Sequence, residues 1–167
     1  MSTRRLEPRP LTAAAFQAFG DVIEGEGAED LINAGTTRQF ADLARIDVAP
    51  QDGRVRVSIY RVTPYALPLE IRMLERHPLG SQLFMPLHGE PFLIVTAAPG
   101  ERFDIGDVHA FVTNGRQGVN YRPGTWHHPV IAVRNPSEFL VIDRAGPGSN
   151  CDERQVAADA LVLEAPR

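Results

Sequence analysis

Apolar and polar residues alternate over much of the chain, and alternation is the period of half-buried β-strands. The clearest example covers residues 54–60, where valine or isoleucine at 55, 57 and 59 alternates with arginine, serine or tyrosine. Shorter strands are predicted at 69–74, 82–87, 92–97, 108–113, 118–121, 128–133 and 139–142. Eight short strands at this spacing predict an all-β protein, either a barrel or a sandwich.

Turn and helix signals complete this outline. Pro-Gly or Asn-Gly pairs stand at 99–100, 114–115 and 123–124, and such pairs favour tight turns between strands. One early helix is predicted over 13–19, with Thr12 as its N-cap and Gly20 as its stop. We expect a loop at 25–35 and, from Gly146, a C-terminal tail with a short helix near 156–161. No repeat or linker interrupts this order, so a single domain over 1–167 is predicted.

The composition narrows the possible functions by exclusion. The chain has 167 residues, and all 17 of its basic residues are arginines, because the sequence contains no lysine. Catalysis through a lysine Schiff base or a lysine general base is therefore excluded, as is a Walker A phosphate loop. With 21 acidic residues the net charge is −4, and no segment concentrates arginine as a nucleic-acid groove would. We expect no nucleic-acid partner.

Three features predict a cytoplasmic protein outside the membrane. The one cysteine, Cys151, cannot form a disulfide within the chain, so folding needs no oxidising compartment. The two early arginines are followed by Glu7 and Pro8 rather than by the apolar segment of a signal peptide. No apolar run approaches the roughly 20 residues that cross a bilayer.

A candidate metal site lies near the ends of predicted strands. Glu75 and His77 are two residues apart, so a strand through both would turn both side chains to one face. Gln82 follows the turn at 78–80 and can return along the neighbouring strand, and a second segment brings His127. One carboxylate, two imidazoles and an amide oxygen would hold a divalent metal of the borderline or hard class. A solvated strand end gives the same Glu-x-His pair, so the pair alone leaves both interpretations open.

Other candidate residues have ordinary structural explanations beside the functional ones. His128 is adjacent to His127 and would face the opposite side of a strand. His88 stands in a turn, where it can shape the turn or touch a ligand. Trp126 and Tyr121 are typical of a core or a rim as well as of a substrate-binding surface.

The joint spacing of these residues resembles the cupin motifs. The first cupin motif is His-x-His, then Glu after four residues and Gly after six more; Glu75, His77, Gln82 and Gly89 follow that spacing. Here Glu75 replaces the first histidine and Gln82 replaces the glutamate. A later Gly-x-x-His at 124–127 resembles the core of the second motif. The resemblance implies a cupin barrel with a metal site in which Gln82 is a neutral ligand.

Longer strings are more specific. The following are similar to the ureidoglycolate lyase family: FGDVI at 19–23, INAG at 32–35, LERHPLGSQ at 74–82, FVTNG at 111–115, QGVNY at 117–121, WHHP at 126–129, IDR at 142–144 and NCD at 150–152. The similarity covers nearly the whole chain. It implies a homodimeric, cupin-like β-barrel (a jelly roll) with a short N-terminal helix and a C-terminal tail. It also implies a nickel-associated lyase of allantoin and purine breakdown that splits (S)-ureidoglycolate into glyoxylate and urea.

The chemistry of this substrate suggests roles for the metal-site candidates. Breaking the hemiaminal requires removal of a hydroxyl proton and delivery of a proton to the urea nitrogen, with no covalent intermediate. We expect Glu75, His77, Gln82 and His127 to line the barrel mouth and to hold either a divalent metal or, in its absence, the substrate directly. Glu75, His77 and His127 would then be catalytic as well.

Further residues are expected to transfer protons or bind substrate. Glu90, His88 and Tyr121 are the candidates for proton transfer, with His88 and Trp126 also candidates for substrate contact. A guanidinium binds a carboxylate in bidentate fashion, and Arg61 and Arg76 are the arginines expected to do so. Arg72 and Arg144 are the further options.

Three rival functions stay open on the sequence alone. An amidohydrolase acting on the same substrate would release ammonia and carbon dioxide instead of urea. Two histidines and one carboxylate also resemble the facial triad of non-haem iron oxygenases, which would require oxygen and ferrous iron. A cupin without catalytic activity would bind a small hydroxy acid tightly and not convert it.

Overall fold

Strands make up most of the regular secondary structure in the computed structural model, which describes residues 3–167. The first nine are β1 (Arg4–Leu6), β2 (Arg9–Pro10), β3 (Gly20–Ile23), β4 (Asp30–Ile32), β5 (Thr37–Gln39), β6 (Arg54–Val62), β7 (Leu69–Glu70), β8 (Met73–Arg76) and β9 (Gln82–Pro86). The others are β10 (Phe92–Ala97), β11 (His109–Val112), β12 (Gly118–Tyr121), β13 (Trp126–His127), β14 (Ile131–Ala132), β15 (Ser137–Ala145), β16 (Asp152–Gln155) and β17 (Leu161–Leu163). The all-β prediction is confirmed.

Helical structure is confined to short turns. The α-helix α1 covers Ala13–Phe16, and 3-10 turns lie at Asn33–Gly35, Pro50–Asp52 and Ile105–Asp107. Over residues 3–167 none of the helices has the length and apolar character needed to cross a membrane.

Two largely antiparallel sheets give the cupin-like architecture. The five-stranded sheet has the order β3-β12-β9-β15-β6. The larger sheet has the order β16-β8-β13-β10-β11-β2, and β14 also pairs with β10. Strands β1 and β7 flank β17, and β4 and β5 form a separate hairpin.

Strand β10 lies between two apolar clusters and contributes alternate side chains to each. Phe92 and Ile94 belong to a cluster rich in aromatic rings, in which Phe92 meets Phe139 edge to face at 5.1 Å. Leu93 and Val95 belong to the second, mainly aliphatic cluster. A strand buried on both faces has a continuous apolar sequence. For this reason the sequence predicted both ends of the strand at 92–97 correctly.

Several other predicted strands agree with the structure, one is divided and one is shortened. Strand β12 matches its prediction, whereas β6 and β15 are longer than predicted. The predicted strand 69–74 is split into β7, which pairs with β17, and β8, which pairs with β13 and β16. The predicted strand 128–133 is reduced to β14, and β13 ends just before residue 128.

The helix and tail predictions need correction. Thr12 caps α1 as predicted, accepting from the Ala15 N–H at 3.2 Å, but the helix ends at Phe16 because Phe19 N–H donates to Phe16 O in a tighter turn. The helix predicted at 156–161 is wrong. Leu161 and Leu163 are both fully buried, and burial of every second residue is the pattern of a strand. These residues form β17, which is paired with other strands. The loop predicted at 25–35 contains β4.

Strand β6 turns its polar residues inward and its apolar residues outward. A half-buried strand ordinarily buries the apolar set, yet Val55, Val57 and Ile59 are all exposed, Val57 to 64%. Arg56 and Tyr60, on the opposite face, line the main cleft of the protein. This reversal is possible because β6 is the edge of its sheet and one of its faces borders the cleft rather than the core.

Candidate active site

Glu75, His77 and His127 converge beside the main cleft, and their candidate ligand atoms all lie within 4.8 Å of one another. The ladder between β8 and β13 pairs His127 directly with Glu75. His77 follows the end of β8, and its backbone O accepts from the N–H of Gly124, a residue at φ +79° in the turn before His127. Positive φ favours glycine, so the glycine of the second motif helps bring the two segments together.

Both imidazoles present unprotonated nitrogens to the space between them. Nδ1 of His77 lies 2.6 Å from Asn150 O, and Nδ1 of His127 lies 2.9 Å from Thr125 O. A carbonyl only accepts, so each neutral ring carries its proton on Nδ1 and a lone pair on Nε2. Metal-binding histidines are commonly oriented in this way.

The lone pairs meet other acceptors rather than donors. Nε2 of His127 lies 3.6 Å from Glu75 Oε1 and 3.0 Å from Gln82 Oε1. Nε2 of His77 lies 3.8 Å from Glu75 Oε1 and is buried with no hydrogen-bond partner among the described residues. Two imidazole nitrogens, a carboxylate and an amide oxygen directed at one another are a donor set that fits a divalent cation.

Burial keeps this cluster ready to bind a cation. Desolvation, with a further contribution from His77, lowers the pKa of His127 to about 3, so its ring is neutral at pH 7. Burial also raises the pKa of Glu75, against the opposing effect of His77. A buried carboxylate becomes easier to ionise when a positive charge lies beside it, and a bound metal would supply that charge.

Tyr121 orients His127 through ring stacking. The two rings are nearly parallel, 9° apart with centroids at 4.2 Å. Burial, followed by the charge of Glu75, raises the pKa of Tyr121 well above its usual value. Tyr121 therefore stays protonated, which disfavours it as a base.

The cleft beside the cluster has a volume of about 920 Å³ and contains one charged pair on its wall. Arg56 holds Asp143 through two hydrogen bonds, Nε to Oδ1 at 2.8 Å and Nη2 to Oδ2 at 2.7 Å. The ladder between β6 and β15 pairs these two residues directly. The pKa of Arg56 is raised, first by its hydrogen bond to Asp143.

Three of the arginines considered in the sequence are occupied elsewhere. Arg61 lies at the rim of the cleft, on the outward side of β6, and pairs with Glu138. Arg72 pairs with Glu70 and does not line the cleft. Arg144 lines the cleft but is buried, and its guanidinium donates to the backbone carbonyls of residues 50, 51 and 147.

Arg76 and Trp126 pack together on the face of their sheet opposite the histidines, and both side chains are largely buried. Arg76 stacks on the Trp126 ring at 5.1 Å and binds Asp152 and Glu101. Trp126 Nε1 donates to Gly100 O at 2.9 Å. The structure places neither side chain in the cleft, because each alternates along its strand with a side chain of the cluster.

His88 and Glu90 also lie outside the cleft. His88 is exposed and its Nε2 lies 3.0 Å from Glu138 Oε2, whereas Glu90 accepts from Asn135 Nδ2. Proton transfer requires hydrogen-bond reach to the substrate, and these positions offer none to a ligand in the main cleft.

The cleft also contains residues that sequence reasoning missed. Asp143 stands inside the IDR string, and Cys151 inside NCD, but neither string shows which residue faces the cleft. Cys151 Sγ lies 3.9 Å from Glu75 Oε2, and burial raises its pKa. The alternation along β6 could have placed Arg56 and Tyr60 in the cleft. That step requires knowing that the polar face of β6 is the one directed inward.

A cupin-like fold with two histidines and a carboxylate beside a polar cleft is typical of a small-molecule enzyme. The ureidoglycolate lyase family model matches residues 3–163. The ureidoglycolate lyase of Pseudomonas paraeruginosa is 50% identical over 165 residues, covering 98% of both chains. That of Azotobacter vinelandii is 52% identical over 161 residues, covering 96% of this chain and 97% of its own. The chain belongs to the ureidoglycolate lyase family.

Proposed function

We propose that the protein cleaves (S)-ureidoglycolate into glyoxylate and urea. The observation that carries this proposal is the convergence of Glu75, His77, His127 and Gln82 beside an open polar cleft in a chain of this family. Ureidoglycolate has a carboxylate, a hydroxyl and a ureido nitrogen on one carbon. Such a hemiaminal needs binding and proton transfer only.

We further propose that these four residues hold a divalent metal, nickel by the family resemblance. The donor set supports this, since two Nε2 lone pairs and a buried carboxylate otherwise face one another without a proton between them. When bound, the ion supplies Lewis-acid stabilisation of the substrate hydroxyl and a template for its carboxylate. The histidines hold their ring orientation through the carbonyls of Asn150 and Thr125.

Glu75 is the proposed proton carrier. Its Oε1 points at the histidines and its Oε2 at Cys151, which lines the cleft. Oε2 takes the hydroxyl proton as the carbonyl of glyoxylate forms and the C–N bond breaks with its electron pair passing to nitrogen. The same proton then passes from Oε2 to that nitrogen, so a single carboxyl balances the reaction.

Product analysis tests this function directly. Purified protein loaded with nickel is incubated with racemic ureidoglycolate, and glyoxylate, urea and ammonia are measured against spontaneous decay. Equal amounts of glyoxylate and urea, formed from one enantiomer, are expected. Ammonia without urea would indicate the amidohydrolase, a requirement for oxygen and ferrous iron the oxygenase, and binding without turnover the non-catalytic cupin.

We also propose that the protein is a homodimer that pairs through β6. This strand is nine residues long, forms the edge of its sheet, and exposes an apolar outer face. A long edge strand of this kind offers unpaired backbone groups to another strand. A second copy presents the same face, as an isologous interface requires.

The expected setting is allantoin and purine breakdown in the cytoplasm. The family resemblance supports the pathway, and a single cysteine that pairs with nothing in the chain supports a reducing compartment. Deleting the gene in its host should abolish growth on allantoin as the nitrogen source and cause ureidoglycolate to accumulate. Unchanged growth with no accumulation would contradict this placement.

A further inference from the structure

One row of side chains crosses the inner face of the five-stranded sheet from the metal-binding cluster into the cleft. Tyr121 of β12 pairs with Gln82 of β9, and Asp143 of β15 pairs with Arg56 of β6. The ladder between β9 and β15 pairs Ile142 with the residue after Gln82, so the next step in that register places Asp143 opposite Gln82. Residues paired across antiparallel strands share a face.

The row sets the separation between the cluster and the charged pair. Neighbouring strands lie about 4.8 Å apart, so Asp143 is about one strand spacing and Arg56 about two from Gln82. Gln82 in turn contacts His127 at 3.0 Å. A substrate anchored at the cluster thus extends along the row toward Asp143 and Arg56, which both line the cleft.

The charges of Asp143 and Arg56 cancel, which determines the kind of group they recognise. Asp143 is nearly buried, 8% exposed, and Arg56 satisfies both of its oxygens from the cleft side. A guanidinium already bonded to a carboxylate offers little net attraction to a second carboxylate. It still has free N–H donors, and each carboxylate oxygen keeps a further lone pair.

A ureido group is complementary to this arrangement. It is uncharged, its carbonyl accepts hydrogen bonds, and its N–H groups donate them, as in an amide side chain. We propose that Arg56 and Asp143 form the subsite for the ureido end of the substrate, with Arg56 donating to the ureido carbonyl and Asp143 accepting from the ureido N–H. The acid end is then left to the metal-binding cluster. This subsite rests on the proposed function for the identity of its ligand.

Tyr60 forms the adjacent wall of the subsite. It lies four residues beyond Arg56 on the same face of β6 and packs against Phe84 with ring centroids 6.0 Å apart. Burial and the charge of Asp143 raise the pKa of Tyr60, so its hydroxyl remains a hydrogen-bond donor at neutral pH. It can add a donor to the ureido carbonyl without adding charge.

Equilibrium binding of two inert ligands tests the subsite without relying on turnover. N-carbamoylglycine carries the ureido end and a carboxylate but lacks the hydroxyl, whereas glycolate carries the hydroxyl and the carboxylate without the ureido group. Calorimetric titration of nickel-loaded protein with each ligand is compared for wild type, R56M and R54M. Arg54 is the matched control, because it lies on the same strand, is exposed, and does not line the cleft.

R56M should weaken N-carbamoylglycine binding by about tenfold or more, the loss expected for a hydrogen bond from a charged donor. Glycolate and nickel affinities should stay within about twofold, and R54M should match wild type. R56K keeps a cation beside Asp143 but removes the multiple N–H donors of the guanidinium. It should therefore lose affinity for N-carbamoylglycine while preserving the melting temperature. This variant keeps the test valid even if R56M unfolds.

Three outcomes would overturn the subsite. Glycolate weakened in R56M as much as N-carbamoylglycine would place the arginine at the acid end. Equal affinities in R56K and wild type, or no binding of N-carbamoylglycine by wild type, would also reject it. If wild type fails to release urea from ureidoglycolate but R56K selectively loses N-carbamoylglycine, the proposed function fails and the subsite stands. If wild type releases urea and the variants bind both ligands normally, only the subsite fails.

Discussion

Gln82 and His127 face each other through two acceptor atoms, with Oε1 of the amide 3.0 Å from Nε2 of the imidazole. The proton of His127 is on Nδ1, bound to Thr125 O, so no hydrogen lies between the two atoms when the amide is in this orientation. A cation bound by both atoms would account for the contact, as would an amide rotated so that its N–H donates to the ring. With the cation bound, Gln82 is a neutral ligand where cupins place a carboxylate.

The neutral charge of Gln82 leads to the first prediction. Q82E adds a second carboxylate to the cluster and should bind nickel at least about tenfold more tightly, because ligand charge strengthens the interaction with a cation. It should also raise the KM for ureidoglycolate, because a more neutral metal centre attracts the substrate carboxylate less. Calorimetric nickel titration and steady-state kinetics measure the two effects.

Q82M is the comparison for that experiment, since it keeps the side-chain volume and removes the oxygen ligand. Its nickel affinity should fall below that of wild type. Equal nickel affinities in wild type, Q82E and Q82M would show that Gln82 does not contact the ion.

The second prediction concerns His77. H77A removes an Nε2 ligand and should lower kcat/KM by on the order of 100-fold or more, since even residues that support ligands cost 10–100-fold when lost. The variant should remain folded by circular dichroism, because His77 lies at the edge of the core. The control is H88A, which removes an exposed histidine outside the cleft and should retain wild-type activity. Full activity of nickel-loaded H77A would reject the assignment of His77 to the site.

The sequence predicted the convergence of the Glu75 cluster better than it predicted the rest of the cleft. Glu75, His77, Gln82 and His127 are tied to turns and strand ends by local spacing, and local spacing is visible in a sequence. The pairing of Arg56 with Asp143 joins residues 87 positions apart across a strand ladder. Nothing in either segment alone reveals that contact.

The orientation of β6 shows why arginine assignment failed from sequence. Alternation gives the two faces of a strand but does not say which one meets the core. For β6 the apolar face is outward, so Arg61 lies with Val57 and Ile59 rather than in the depth of the cleft. Arg76 lies on the face of β8 opposite to Glu75 and His77, where it is largely buried against Trp126.

The third prediction is that Arg76 positions the cluster from behind. It joins β8 to Trp126 of β13 by stacking at 5.1 Å, and β8 and β13 carry Glu75 and His127. R76M should weaken nickel binding by about tenfold, within the range seen when support for a metal ligand is lost. The readout is the nickel dissociation constant measured by competition with a chelating dye, beside the melting temperature.

Arg154 provides the matched control for that variant. It lies on the neighbouring strand β16 and stacks on Phe103 at 5.7 Å, so R154M removes a similar cation–π contact. R154M should lower the melting temperature about as much as R76M but leave nickel affinity unchanged. Equal nickel affinities in the two variants would reduce Arg76 to a purely structural role.

The fourth prediction tests the proposed dimer. V57E places a carboxylate in the middle of the exposed apolar face of β6, and two-fold symmetry would bring two such charges close together. The variant should sediment as a monomer at concentrations where wild type is a dimer. L31E introduces the same charge at Leu31, an exposed apolar residue of the separate β4–β5 hairpin, and should leave the dimer intact. A dimer that survives V57E would place the interface elsewhere.

The last prediction follows from His109, which is half-buried against Phe19 and is separated from His127 by Thr96 in the same row of the sheet. Burial, then the charges of Arg9 and Arg4, lowers its pKa, while Asp107 opposes the shift. A histidine with a lowered pKa binds its proton less readily in the folded state than in the unfolded chain, so its protonation favours unfolding. Stability is therefore retained above the unfolded value near 6.5 and is lost as the pH falls below it toward the lower folded value. H109Q removes this contribution, so its urea midpoint relative to wild type should rise between pH 7.5 and pH 5.5. H88Q, at an exposed histidine, controls for the loss of an imidazole, and a constant difference between H109Q and wild type across that range would contradict the assignment.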